Sequence, residues 1–205
     1  MYLTRLTLDP RSAQARRDLA DAYDMHRTLV RAFVRDERDA PGRFLWRLEP
    51  GADAWASPTL LVQSCESGDW DVLQGLPGYL QRPAECKALD LEALIRPQWR
   101  YRFRLLANPT VTRAGKRRGL LGEAEQLAWL QRQGERHGFA VKAVLVSASD
   151  LLDSRRKGGA PIVLQRVCFE GLLQVVEADA LRRALASGIG PAKAFGCGLL
   201  SVARC

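Results

Sequence analysis

The chain has 205 residues, with 31 Lys and Arg against 23 Asp and Glu, giving a formal charge of +8. A composition of 47% hydrophobic and 26% charged residues excludes a disordered or fibrous chain, and no apolar run approaches the ~18 residues of a membrane span. The opening MYLTRLTLDP lacks the apolar core of a signal peptide, so the expectation is a soluble, basic, cytoplasmic protein of one large or two small domains. Its five cysteines (Cys65, Cys86, Cys168, Cys197 and Cys205) form no C-x-x-C pair, and its two histidines, His26 and His137, lie far apart in the chain. Disulfide frameworks and structural zinc sites use paired, regular spacing, so neither a metal nor a cofactor is expected.

Tyr2 to Leu8 alternates as a strand that Asp9-Pro10 ends. A helical stretch runs from there to about Val34. Asp21 is its candidate N-cap, with Asp24 at the three-residue spacing of a capping box. Met25, Leu29, Ala32 and Phe33 form an apolar stripe, with His26 at its edge and Tyr23 one turn back. Arg27 and Arg31 lie further round, so the spacing gathers a histidine, a phenol and two guanidiniums on one helix, whose N-terminus suits a phosphate. Histidine is the side chain for proton transfer near neutrality. A lone histidine beside an apolar stripe also reads as a packed core residue, and both readings stand.

Arg43 to Glu49 and Thr59 to Cys65 read as strands. Asp69 to Leu80 allows a short helix broken by Pro77 and Gly78, and Ala84 to Leu91 reads as a fourth strand. The pattern then repeats. Arg100 to Ala107 is a strand with Tyr101, Phe103 and Leu105 facing a core and Arg100, Arg102 and Arg104 on the opposite face. A basic loop follows, with Ala114-Gly115-Lys116 at its tip. Next come a helix with Leu120, Ala124, Leu127 and Ala128 inward, a strand from Ala140 to Ser147, and a hairpin around Glu170-Gly171. The pattern closes with a helix through Leu181, Ala184 and Leu185 and a final strand. Two βαββαβ units imply an α+β fold of two tandem ferredoxin-like, RRM-like domains, 1–95 and 96–205.

The positive charge is local. From Arg96 to Arg118 there are eight basic residues and no acid, the others being Arg100, Arg102, Arg104, Arg113, Lys116, Arg117 and Arg118. Outside that segment the two signs balance. A merely solvated face mixes signs, so this one points to a polyanion, and arginine's planar fork suits phosphates and base edges. Arg155-Arg156-Lys157 adds a second basic spot. In GIGPAKAFGCGLLS, Gly190, Gly196 and Gly198 with Lys193 fit either close helix-to-strand packing or contact with an RNA backbone. His137, beside Gly138, reads as a helix-capping residue.

YLTRLTL, YDMHRTL, RFRLLANP, EAEQLAWLQR, VCFEGLL and GIGPAKAFGCGLLS together resemble the CasE family, the CRISPR-repeat endoribonucleases of type I-E Cascade complexes, within the wider RAMP superfamily. The motifs span both ends and the middle of the chain. Residues 50–95 and the loop from Thr110 to Gly119 carry no matching motif. The resemblance implies metal-independent cutting of precursor CRISPR RNA at the base of the repeat hairpin. It also implies retention of the product with other Cascade subunits, and a catalytic pair at His26 and Tyr23. The competing readings are a non-catalytic RNA-hairpin scaffold subunit with His26 merely structural, and a DNA-binding accessory protein.

Overall fold

The computed structural model describes residues 1–34, 41–51, 56–154 and 162–205. They form two compact units. Met1–Leu89 makes the first, joined by Ser154 and Ala194–Gly196, and the second holds Asp90–Asp153, the described residues up to Lys193, and Cys197–Cys205. The division thus falls after Leu89, and two short pieces of the C-terminal half group with the first unit.

The first unit runs β1 (Tyr2–Thr7), α1 (Ala13–Ala20), α2 (Ala22–Val30), β2 (Phe44–Glu49), β3 (Thr59–Ser64), α3 (Asp71–Gln74) and β4 (Glu85–Ala88). Its strands pair antiparallel in the order β2-β3-β1-β4, the ferredoxin-like arrangement. Leu6, Leu60, Val62, Met25 and Leu29 are buried, because alternate strand residues and every third or fourth helical residue turn inward. The single helix expected to about Val34 is two. Asp21 adopts extended φ −137°, ψ 117° and serves both as C-cap of α1 and N-cap of α2. Aspartate competes with the helical backbone for hydrogen bonds and so favours such joints. Asp18 on α1 is buried, and its carboxylate accepts from the Tyr79 hydroxyl at 2.8 Å. The fourth strand is shorter than its sequence pattern. Asp90 caps a new helical turn, α4 (Leu91–Leu94), by accepting from the N–H groups of Glu92 and Ala93.

The second unit contains α4, β5 (Arg100–Ala107), β6 (Thr110–Arg113), β7 (Lys116–Gly119), α5 (Glu123–Arg136), most of β8 (Phe139–Ser154), β9 (Ile162–Val175), α6 (Ala178–Ser187) and β10 (Leu200–Arg204). Its main sheet has the order β10-β5-β9-β8, again ferredoxin-like. Tyr101, Phe103 and Leu105 enter a core with Trp129, Leu130, Phe139, Phe169, Leu181 and Leu185, and Trp129 stacks on Phe169.

Three expectations change here. The hairpin expected around Glu170-Gly171 is one continuous strand, with Phe103 paired to Gly171 and Arg104 to Glu170. Gly171 is needed for close approach rather than for a turn, since a Cβ there would lie 2.0 Å from the Ala143 carbonyl oxygen. The loop expected from Thr110 to Gly119 is the β6–β7 hairpin. Ala114 (φ 49°) and Gly115 (φ 74°) turn it, both left-handed as a two-residue type I′ turn demands. On α5 the buried face is Gln126, Trp129, Leu130 and Gly134, while Ala124 is exposed and Leu127 and Ala128 are half-buried. The large Trp129 takes the inner position. Gln126 follows it inside because its amide donates to the carbonyls of Leu120 and Leu121.

Replacing Gly171 with Ala forces β8 and β9 apart. We expect about 1–3 kcal/mol of destabilisation, read from urea unfolding, whereas Gly115→Ala at the open hairpin tip meets nothing within 4 Å and costs only its backbone strain.

Candidate active site

The α2 helix begins at Asp21, whose Oδ1 accepts the Tyr23 N–H at 2.8 Å. The reciprocal half of a capping box is absent. Asp24 instead lies 3.8 Å from Arg17 and 3.9 Å from Arg27. Two carboxylates, the cap Asp21 and Asp24 of the first turn, therefore stand at the helix start, which disfavours the phosphate expected there. Tyr23 is half-buried, and the exposed Arg27 guanidinium stands 6.0 Å from its ring centroid.

His26 sits one turn beyond Tyr23. Met25 and Leu29 on either side of it in the sequence are buried, so His26 occupies the margin of the apolar face. Its ring stacks on Phe44 of β2, with centroids 5.1 Å apart and planes 22° from parallel. Phe33 stacks on the same Phe44 at 4.7 Å. The His26 Nδ1 is out of water and has no hydrogen-bond partner among the described residues. Burial pulls its pKa below the ordinary value, because the imidazolium loses more hydration than the neutral ring. A neutral imidazole beside a phenol, with a cation nearby, is an arrangement able to move protons. Phe44 left no local signal in the sequence, since it arrives from a strand beyond the helix.

Arg31 stands at the far end of the same helix. It is the C-cap of α2 and lines a groove of about 890 Å³ with Glu66 and Asp69. Arg155, Arg156 and Lys157 lie outside the described residues. Among the described residues no three His, Cys, Asp or Glu side chains gather as a metal-binding group, and no helix is long and apolar enough to cross a membrane.

In the second unit the alternation of β5 holds. Arg100 and Arg102 are exposed and Arg104 half-buried, opposite the inward aromatics. The acid-free segment does not make an acid-free surface. Sheet pairing brings Glu170 to within 3.3 Å of Arg104, and Glu125 of α5 lies 3.6 Å from Arg113. Arg100, Arg102, Lys116, Arg117 and Arg118 carry no ion pair among the described residues. In the hairpin Arg113 opposes Lys116, and Arg117 opposes Thr112, so cations crowd its exposed end.

The glycine run has a packing cause at three positions, and at Gly198 a Cβ would lie 3.1 Å from the Ile189 carbonyl oxygen. Gly190 (φ 80°) would bring a Cβ 3.1 Å from Trp129, and Gly196 (φ 80°) one 3.0 Å from Trp46. Gly198 (φ 95°) donates its N–H to the Leu106 carbonyl at 2.7 Å, and Lys193 begins a 3₁₀ turn ending at Phe195. His137 is the C-cap of α5, where burial, Arg136 and Lys193 lower its pKa and so work against the cationic form that a helix dipole favours.

The chain matches the CRISPR associated protein family over residues 1–204. It is 41% identical to the CRISPR-associated endoribonuclease Cse3 of Thermus thermophilus, over 99% of this chain and all of that one. It is 31% identical to the CRISPR system Cascade subunit CasE of Escherichia coli, over 99% of each. A solved structure of Cse3 bound to a 19-nucleotide RNA superposes with TM-score 0.88 at 42% identity, covering both chains entirely. Cas6e from E. coli superposes with TM-score 0.71 at 29% identity over the full length of both chains.

The stacked, half-buried setting of His26 has a measurable consequence. In the free protein its imidazole should titrate below pH 6.5 by NMR, and Phe44→Ala, which opens the ring to water, should move the midpoint back up. A midpoint above 6.5 in the unmodified protein contradicts this account of its burial.

Proposed function

The chain belongs to the CRISPR-associated protein family, and on that premise we propose that His26 and Tyr23 on α2 cut CRISPR repeat RNA by attack of its own ribose. The protein is a CRISPR-associated endoribonuclease, as its relative Cse3 is. It works bound to CRISPR RNA and alongside other Cascade subunits. Its setting is the cytoplasm.

In the reaction, the 2′-hydroxyl oxygen of the nucleotide before the cut forms a bond to its own 3′-phosphorus. The bond from phosphorus to the 5′-oxygen of the next nucleotide breaks. One proton leaves the 2′-hydroxyl and one arrives on the departing 5′-oxygen, leaving a 2′,3′-cyclic phosphate and a 5′-hydroxyl. This chemistry needs no metal, because the proton released at the 2′-oxygen and the proton taken up by the 5′-oxygen both pass through a side chain.

The observation that supports this reading best is His26 itself, held against Phe44 with its pKa lowered. The ring enters the reaction neutral, takes the 2′ proton, and as the imidazolium so formed delivers a proton to the departing 5′-oxygen. Tyr23 orients the reacting groups and donates to a phosphate oxygen. Arg27 stands beside Tyr23, where it offsets the charge that builds on the phosphorane.

Binding is the task of a different surface. The hairpin cations Arg113, Lys116, Arg117 and Arg118 hold the stem through its phosphates, with Arg100, Arg102 and Arg104 on β5. The glycine run with Gly190, Lys193, Gly196 and Gly198 lets the backbone there approach the RNA closely. In-line attack requires an alignment that relaxed A-form RNA lacks, so the grip also splays the cut site.

His26→Ala is expected to lower single-turnover cleavage of a hairpin repeat by about 10²–10⁴-fold while leaving RNA affinity unchanged. An undiminished rate rejects the assignment. Arg117→Ala should weaken binding and reduce the slope of log K against log [salt] by about 1. At subsaturating protein, which reports the free enzyme, cleavage should rise with pH to a plateau whose midpoint lies below 6.5, since the lowered pKa leaves the base form dominant above it. A rate that falls as His26 deprotonates reverses its role to acid.

A further inference from the structure

Resting on the assignment of His26 and Tyr23 above, we propose that Ser154 is a positioning residue for the cut, acting through Asp21 on the start of the catalytic helix. Ser154 is the last residue of β8 and groups with the first unit. The nine residues before it, Leu145–Asp153, are exposed or half-buried, yet Ser154 is buried at 1%. Its hydroxyl donates to Asp21 Oδ1 at 2.6 Å, within the range of a hydroxyl bonded to a carboxylate. The same oxygen accepts the Tyr23 N–H at 2.8 Å. One carboxylate oxygen thus joins a residue 133 positions away to the backbone of a reacting residue.

Asp21 is the joint of the two helices. Its N–H closes α1 on the Arg17 carbonyl, and its carbonyl accepts the first helical bond of α2 from Met25. With the backbone extended there, the direction of α2 depends on how the Asp21 side chain is held. An aspartate cap alone keeps freedom about two side-chain torsions. The second donor removes it, fixing Oδ1 and with it the first turn that carries Tyr23 and, one turn on, His26. Misplacement of about 1 Å in a reacting group is worth up to ~10²-fold in rate, so this contact acts on the chemical step and not on RNA affinity.

The test compares Ser154→Ala, Ser154→Thr and His26→Ala in the full chain, with single-turnover cleavage at saturating protein and binding measured separately. Ser154→Ala should cut about tenfold more slowly with Kd within twofold of the parent, and Ser154→Thr, which keeps the donor, should recover the rate. Asp21→Ala combined with Ser154→Ala should cost no more than Asp21→Ala alone. Parental cleavage by Ser154→Ala beside an inactive His26→Ala overturns this inference and leaves the function intact. Parallel losses of binding and cutting that threonine does not restore also overturn it, since they mark a structural role. Parental cleavage by His26→Ala overturns both.

Discussion

The contact on which the candidate chemistry depends is the seat of an imidazole on a phenyl ring. His26 rests on Phe44 at the margin of a core that Met25 and Leu29 enter fully. That position removes one ring nitrogen from water and, by burial, favours the neutral form of the ring. Two residues deeper in the stripe, it becomes a packed core side chain. Fully in water, it titrates as a free imidazole. The packed-residue and catalytic readings of this histidine are therefore not exclusive, because the packing that seats the ring also favours the neutral form that a proton acceptor needs.

The elements legible in the sequence were those whose cause is local. Alternation in Arg100–Ala107 marked β5 and its two faces, and the Asp21–Leu29 spacing placed Tyr23 and His26 on one helix. Elements whose cause is another strand were not legible. Gly171 reads as a turn until β8 lies across it with the Ala143 carbonyl 2.0 Å from the absent side chain. The β6–β7 hairpin hides because a left-handed alanine at 114 is a poor turn signal, although the glycine after it is a good one. On α5, hydrophobicity pointed to Ala124, while the bulk of Trp129 and the hydrogen bonds of Gln126 set the inner face.

Charge shows the same boundary between local and non-local information. The run from Arg96 to Arg118 contains no acid, yet sheet pairing delivers Glu170 to Arg104 and the following helix delivers Glu125 to Arg113. The basic surface is accordingly narrower than the basic segment, and among the described residues its cations without an ion pair are Arg96, Arg100, Arg102, Lys116, Arg117 and Arg118. In the same way the helix start that looked ready for a phosphate holds Asp21 and Asp24, so the site's cations must come from Arg27 and from outside the helix. The Ser154 contact and the Phe44 stack had no signature in the chain, being meetings of residues that only the fold brings together.

The most direct test of the account uses a hairpin repeat RNA in EDTA, with and without a single 2′-deoxy substitution at the nucleotide before the cut. The account predicts cleavage of the all-ribose RNA alone, ending in a 2′,3′-cyclic phosphate and a 5′-hydroxyl, with the deoxy RNA bound equally well and left whole. Cleavage of the deoxy RNA, or loss of all cleavage in EDTA, contradicts attack by the 2′-oxygen under side-chain catalysis.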